Sequence, residues 1–518
     1  MIKNFKWLLL VSLTFVACTS NDETVADPNS SDGLPLTAGT ADFSKYVSLG
    51  NSLTAGYSDG ALFIAGQQGS YPNLLSQRFA LVGGGEFKIP FMNDNVGGLL
   101  LGGFQIQGPR LYLAPGNNPT PVSGTTTTEV SNILTGAYNN MGVPGAKSFH
   151  LVAPGYGNVA GVASGQSNPY FVRFASSPST TVLADALAQS PTFFSLWIGN
   201  NDVLSYATSG GTGTNQLGNL NPATYGGNDI TDPNVFASVY STLVTQLTAG
   251  GAKGVVANIP YVTSVPFFTT VPTNPIPGLP AASAGQLNFL FGGINAALAG
   301  AGLPPRFVTL VATDGNPATV ESNPLLIKDE SLPNISAQIT AALTPVLGAA
   351  TAGFLGPLYG QARHASNATA SKDYILLTAR GIIGTLQSGA PSPFNTIGVS
   401  YPMQDNTTLT ANETAQVKTA TDAYNATILA LANSKGLAFV DANAALNQVA
   451  TGGLVYNGYT MTSTYVTGNS FSLDGVHPSA KGYALIANKF LEAINTTYGS
   501  NFKGVNLGQY QILYPAML

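Results

Sequence analysis

The sequence predicts an α/β fold: a doubly wound, mostly parallel sheet with flanking helices and large insertions. Three observations point there. Short apolar runs that read as strands alternate with longer runs of helical periodicity. Hydrophobic residues make up 44% of the 518, enough for a sizeable core and too many for a disordered chain. The 59 glycines and 33 prolines imply many turns and long irregular connections between those elements.

The elements follow in order. Tyr46–Leu49 reads as a strand and "YPNLLSQRF" (Tyr71–Phe79) as a helix turning its leucines inward. Thr181–Ala188 is expected as a helix, and "TFFSLWIG" (Thr192–Gly199) as a buried strand. Asn234–Ala249 is helical, with Phe236, Val239, Leu243 and Leu247 on one face. "GVVANIP" (Gly254–Pro260) is the next strand, stopped by proline. A long helix over Glu413–Asn433, the strand "LAFVDA" (Leu437–Ala442) and a helix over Ala480–Asn495 complete the series. Ligand sites in such sheets form at the carboxyl ends of the strands. Ser52 and Asn201 both follow a strand end.

Two stretches interrupt the alternation. Val82–Ser131 is rich in glycine and proline and carries the apolar loop "NVGGLLLGGFQIQG". Tyr261–Thr410 holds helix-like pieces at Gln286–Leu298, Ser331–Leu347 and Asp373–Thr385, apolar on more than one face. They are expected to pack on the main domain, as structural filling or as a lid over substrate. The main domain is placed at 41–500, with insertions at about 82–131 and 261–410 and a C-terminal tail at 501–518.

Only 8% of residues are charged, against about a quarter in an average soluble protein. The net charge of -5 and the lack of any basic run exclude a nucleic-acid groove. The single cysteine, Cys18, allows no intramolecular disulfide. It follows "MIKNFKWLLLVSLTFVA", a charged start and a short apolar centre, the layout of a signal peptide at 1–17. The "FVAC" end resembles a bacterial lipobox, with Phe15 where leucine is usual, and implies a lipidated Cys18. A plain signal peptide with an incidental cysteine is the alternative. "TSNDETVADPNSSDG" then reads as the start of a flexible tether over 18–40, and its acidic character resembles the surface-export signal of Bacteroidetes-type lipoproteins. The expected location is the bacterial cell envelope, lipid-anchored, at the outer membrane.

Four short stretches carry the chemistry. "SLGNSL" puts Ser52 two residues past a strand that ends in Gly50. "NMGVPGAKS" offers bare backbone N–H groups around Gly145, and "WIGNND" places Asn201 after a strong strand, a neutral donor suited to a developing oxyanion. "SLDGVHPSAKGY" spaces Asp474 three residues before His477, so a turn can bring the carboxylate to one ring nitrogen and leave the other for a serine proton. Pro478 is expected to start the helix that follows. Singly, each stretch also reads as a turn or a helix cap. His150, near the Gly145 turn, is expected as a satisfied local histidine, with pocket lining as the alternative, and His364 as a loop residue; Trp197 is expected in the core, as are Phe267, Phe268 and Phe289, with substrate contact as the alternative for those three.

In this order, "GNSL", "NMGVPGA", "GNND" and "DGVH" resemble the four blocks of the SGNH hydrolases, also called GDSL esterases or lipases. The resemblance covers roughly 200 residues, enough for one doubly wound, flavodoxin-like three-layer domain. It implies a catalytic triad of Ser52, Asp474 and His477 and an oxyanion hole made by the Ser52 and Gly145 N–H groups and the Asn201 side chain. Asn51 departs from the aspartate of the family name. The implied activity is a serine ester hydrolase forming an acyl-enzyme on lipid, small-ester or carbohydrate acyl groups, without metal or organic cofactor. Its implied partners are the ester substrate and, through the lipid anchor, a membrane. An acyltransferase using the same triad and a non-catalytic surface-binding lipoprotein on a hydrolase scaffold are the alternatives.

Overall fold

The computed structural model describes residues 26–316 and 318–518. The expected signal peptide, Cys18 and the first part of the tether lie outside the described residues.

Five strands form one parallel sheet: β1 (Tyr46–Gly50), β2 (Asn140–Gly142), β3 (Phe193–Trp197), β4 (Lys253–Ala257) and β5 (Ala438–Val440). Their spatial order is 2-1-3-4-5, so the winding reverses beside β1. Every residue of β1 and β3 is buried, which requires cover on both faces. One layer is α2 (Tyr71–Phe79) packed on α8 (Ala480–Tyr498). The other is α3 (Val182–Leu187), α5 (Pro233–Thr248) and α6 (Ala411–Lys435), with α5 packed on the other two. Two shorter helices matter for the site: α1 (Ser52–Ala55), which directly follows β1, and α4 (Asn201–Thr208), which follows β3. A further helix, α7 (Ala442–Thr451), leaves the end of β5.

Sequence chemistry sets the ends of these elements. The Asp232 carboxylate accepts from the Asn234 and Val235 N–H groups and starts α5. Thr410 and Glu413 form a capping box at the start of α6, and Gly436, in the left-handed region at φ 62°, ends it. Ser479, not Pro478, starts α8: its hydroxyl accepts from the Gly482 N–H. A free hydroxyl acceptor at that position does what proline cannot.

The ends of the domain depart from expectation. Residues 27–40, read as tether, are pinned to the body: Ser30 bridges Phe502, and the Asn501 side chain accepts from the Thr37 N–H and donates to Asp32. The expected tail is docked as well. Phe502, Val505 and Leu507 join the main core, and Tyr514 packs edge-on against Phe63. Apolar residues at 502–514 bury more favourably than they solvate, which local composition does not reveal.

The first interruption forms two hairpins, Leu99–Leu101 with Phe104–Gln107 and Leu111–Ala114 with Asn118–Pro121. The second contains helices Ala281–Gly300, Ser336–Leu347 and Ala349–Tyr359, with a core of its own around Phe291, Phe307 and Tyr359. Asp373–Thr385, expected as a helix, is a strand (Tyr374–Ile375) followed by a 3-10 turn (Leu377–Gly381). The Arg363 guanidinium grips the Asp373 carboxylate, and Tyr374–Ile375 pairs with Thr408–Leu409, so tertiary contacts override the helical pattern. The insertion reaches the main domain at one telling place: the Phe267 N–H donates to the Gly475 carbonyl, inside the Asp474–His477 turn.

Candidate active site

Gly50 ends β1 beside Trp197, the last residue of β3. A Cβ at Gly50 would lie 2.1 Å from Thr54 Oγ1 and 2.5 Å from the Trp197 carbonyl oxygen. The glycine is required for room, not for an unusual backbone angle. Asn51 then caps α1: its side-chain oxygen accepts from the Leu53 N–H, and its amide donates to Asn200 Oδ1. An aspartate could make the first bond but not the second, which accounts for asparagine here. The turn presents Ser52 at the point where the strand order reverses, the place where doubly wound sheets bind ligands. Since α1 is a single turn, its dipole adds little; the useful group is the bare N–H.

His477 arrives from 425 positions along the chain, and its Nε2 lies 2.9 Å from Ser52 Oγ. Its Nδ1 lies 2.9 Å from Asp474 Oδ2. Asp474 Oδ1 accepts from Ser472 Oγ and from the Val476 and His477 N–H groups, and Oδ2 accepts from the Gly60 N–H. Burial alone would push this carboxyl up; the His477 ring and the converging donors outweigh it and hold Asp474 at about 2. An ionised carboxylate only accepts, so Nδ1 carries the ring proton and Nε2 is left to accept the Ser52 hydroxyl proton.

Gly145 sits in the left-handed region at φ 80°, three residues beyond β2, where a side chain would be strained. Among the described residues, neither the Ser52 nor the Gly145 N–H meets an acceptor. Asn201, the first residue of α4, spends one amide hydrogen on the Ala146 carbonyl, 2.9 Å away, and keeps the other. Two further bonds hold this loop. Asn168 Nδ2 donates to the Pro144 carbonyl, and the buried Asp202 carboxylate accepts from both the N–H and the hydroxyl of Ser148. Asp202 thereby ties the loop carrying Gly145 to the helix carrying Asn201. No local pattern points to this role of Asp202, because its partner lies 54 residues away.

Asp59 is a second buried carboxylate beside the relay. It is fully buried at φ 51°, accepts from the Leu473 N–H through Oδ1 and leaves Oδ2 without a partner among the described residues. Its own N–H donates to Ser472 Oγ, the hydroxyl that donates to Asp474. Burial pushes the Asp59 carboxyl up to about 7, against the pull of the Leu473 N–H. The Asp-Gly pair in "YSDG", a turn signal, is the local cue in the sequence that points to it.

The remaining residues sort as follows. His150 is a local histidine: Nδ1 accepts from the Lys147 N–H, the ring stacks on Tyr156, and burial lowers it to about 3. His364 lies on a strand (Ala362–His364), not in a loop, with Nδ1 accepting from the Val308 N–H. Trp197, Phe267 and Phe268 are buried, whereas Phe289, expected in the core, is 70% exposed. Among the described residues one acidic group converges: Glu330, Asp405 and Glu413 each bring an oxygen within 4.8 Å of the others. Burial first, then Glu330, pushes Asp405 up, and burial pushes Glu413 up, so protons rather than bare charges are shared there.

Ser52, Asn201 and His477 line a partly open cavity of about 140 Å³. Comparison with protein-family models, with curated proteins and with solved structures returned no match.

Proposed function

We propose that the protein is a serine ester hydrolase of the SGNH type. The hydrogen-bonded relay Ser52–His477–Asp474, set beside two unpaired backbone N–H groups and the Asn201 amide, carries this assignment. The Ser52 oxygen attacks the ester carbonyl carbon while His477 Nε2 takes its proton. The carbonyl oxygen becomes an anion facing the Ser52 and Gly145 N–H groups and Asn201, each donor worth a few kcal/mol in the transition state. The C–O bond to the alcohol then breaks, and the alkoxide leaves with the proton from His477. Water repeats the sequence on the acyl-enzyme, releasing the acid and the free Ser52 hydroxyl. Asp474 holds the imidazole in the productive tautomer and stabilises the imidazolium.

A serine-reactive fluorophosphonate should label the folded protein at Ser52, and Ser52→Ala should abolish labelling and hydrolysis of p-nitrophenyl esters. Folded wild-type protein that stays unlabelled would instead support the non-catalytic scaffold. With Cys18 lipidated, the enzyme would act at a bacterial envelope surface, and residues 27–40, being bound to the body, would leave it only a short reach from the membrane.

A further inference from the structure

The cavity at Ser52 does not end at the triad. It continues between two helix faces. On α8 the lining positions are Gly482, Leu485, Ile486, Lys489 and Phe490, and on α7 they are Ala442, Ala445, Leu446 and Val449. Both sets have the three- and four-residue spacing of one helix side. Val440, at the end of β5, and Phe471, just before the Asp474 turn, complete it. Away from Ser52, His477 and the asparagines beside them, the polar lining residues are Tyr261, Ser470 and Lys489, whose amine is turned to Glu492; the rest of the lining is mostly apolar. From Gly482 to Phe490 the α8 face extends about 12 Å at the helical rise per residue, and the α7 face extends about 10 Å. Ala442 and Ala445 keep the α7 side shallow, which leaves width for a chain.

We propose that this cavity is an acyl-chain subsite taking a straight alkyl acyl group of medium length. The proposal rests on Ser52 being the nucleophile. A channel of about 12 Å matches an extended chain of roughly eight to ten carbons. A sugar ring finds few polar partners there, so acetylated polysaccharide fits the cavity poorly. The acyl carbonyl sits at Ser52, the tail runs between α7 and α8, and the alcohol leaves past His477 toward solvent.

The test is the chain-length profile of kcat/KM on p-nitrophenyl esters from acetate to palmitate. The expected result is a rise of at least a hundredfold from acetate to octanoate or decanoate, followed by a fall at palmitate. Ala445→Trp and, separately, Ile486→Trp should each lower the decanoate-to-acetate ratio at least tenfold in protein that melts like wild type. Decyl acetate, which carries the same chain on the alcohol, should be turned over no better than ethyl acetate. A wild-type ratio within threefold of one, a ratio unmoved in folded tryptophan variants, or a preference for decyl acetate overturns the subsite. Calorimetric titration of Ser52→Ala with decanoate separates this from the catalytic assignment. Decanoate binding to Ser52→Ala that an added Ala445→Trp removes, alongside wild-type protein that hydrolyses no ester, would retain the subsite and discard the hydrolase. Ester hydrolysis without chain preference and without decanoate binding would do the reverse.

Discussion

Asp474→Asn is the sharpest perturbation of the proposed relay. The carboxylate accepts five hydrogen bonds, three at Oδ1 and two at Oδ2. An amide must turn its NH2 toward one of these sets, and the smaller set, at Oδ2, is the less costly choice. The Gly60 N–H then faces a donor, an orphaned group worth about 1–3 kcal/mol. The NH2 also donates to His477 Nδ1, which moves the ring proton to Nε2, where it can no longer take the proton of Ser52. By analogy with other triads, the wrong tautomer should lower kcat by about 10⁴. A second consequence is pH dependence. A carboxyl held at about 2 in the fold, against its ordinary value near 3.9, contributes about 2–3 kcal/mol. Because the folded value is depressed, that contribution is complete above the ordinary value and is lost as pH falls through about 2. The assays are ester hydrolysis at neutral pH and urea unfolding in steps from pH 5 to pH 2. Wild type should lose stability down that range more steeply than Asp474→Asn. A variant with kcat within tenfold of wild type, or one with the wild-type acid slope, would refute the role assigned to Asp474.

Two further outcomes are expected. Gly50→Ala should destabilise the fold by about 3 kcal/mol or more, since its Cβ would press on the Trp197 carbonyl of the neighbouring strand, which cannot rotate away; a loss under about 1 kcal/mol in urea unfolding would count against the close β1–β3 approach. At the acidic cluster the folded values of Asp405 and Glu413 are raised, so the stability their protonated forms contribute is present below the ordinary carboxyl range near pH 4 and is lost as pH rises toward 8. Asp405→Asn should therefore gain about 1–3 kcal/mol on wild type at pH 8 and little at pH 4; equal differences at the two pH values would exclude proton sharing there.

The local stretches were legible because their chemistry is local. Tyr71–Phe79 is a helix at the bounds its pattern indicates, and β1, β3, β4 and β5 lie where the apolar runs place them, within a few residues. Periodicity and caps depend on neighbours a few positions apart, and a linear reading contains those. Ser52, Gly145, Asn201, Asp474 and His477 lie in short motifs that are readable for the same reason. Asp59 and the full part of Asp202 are not, since each works through a partner far along the chain.

By itself, then, the sequence determined the alternation of elements, the strand end at Gly50 and the Asp474–His477 spacing. Only the tertiary structure decided the 2-1-3-4-5 strand order, the 2.9 Å approach of His477 to Ser52, the docking of residues 27–40 and 502–514, and the apolar channel between α7 and α8. The physical reason is separation. Those features come from surfaces that meet after the chain has closed loops of hundreds of residues, and burial energy, which has no direction along the chain, selects which surfaces meet.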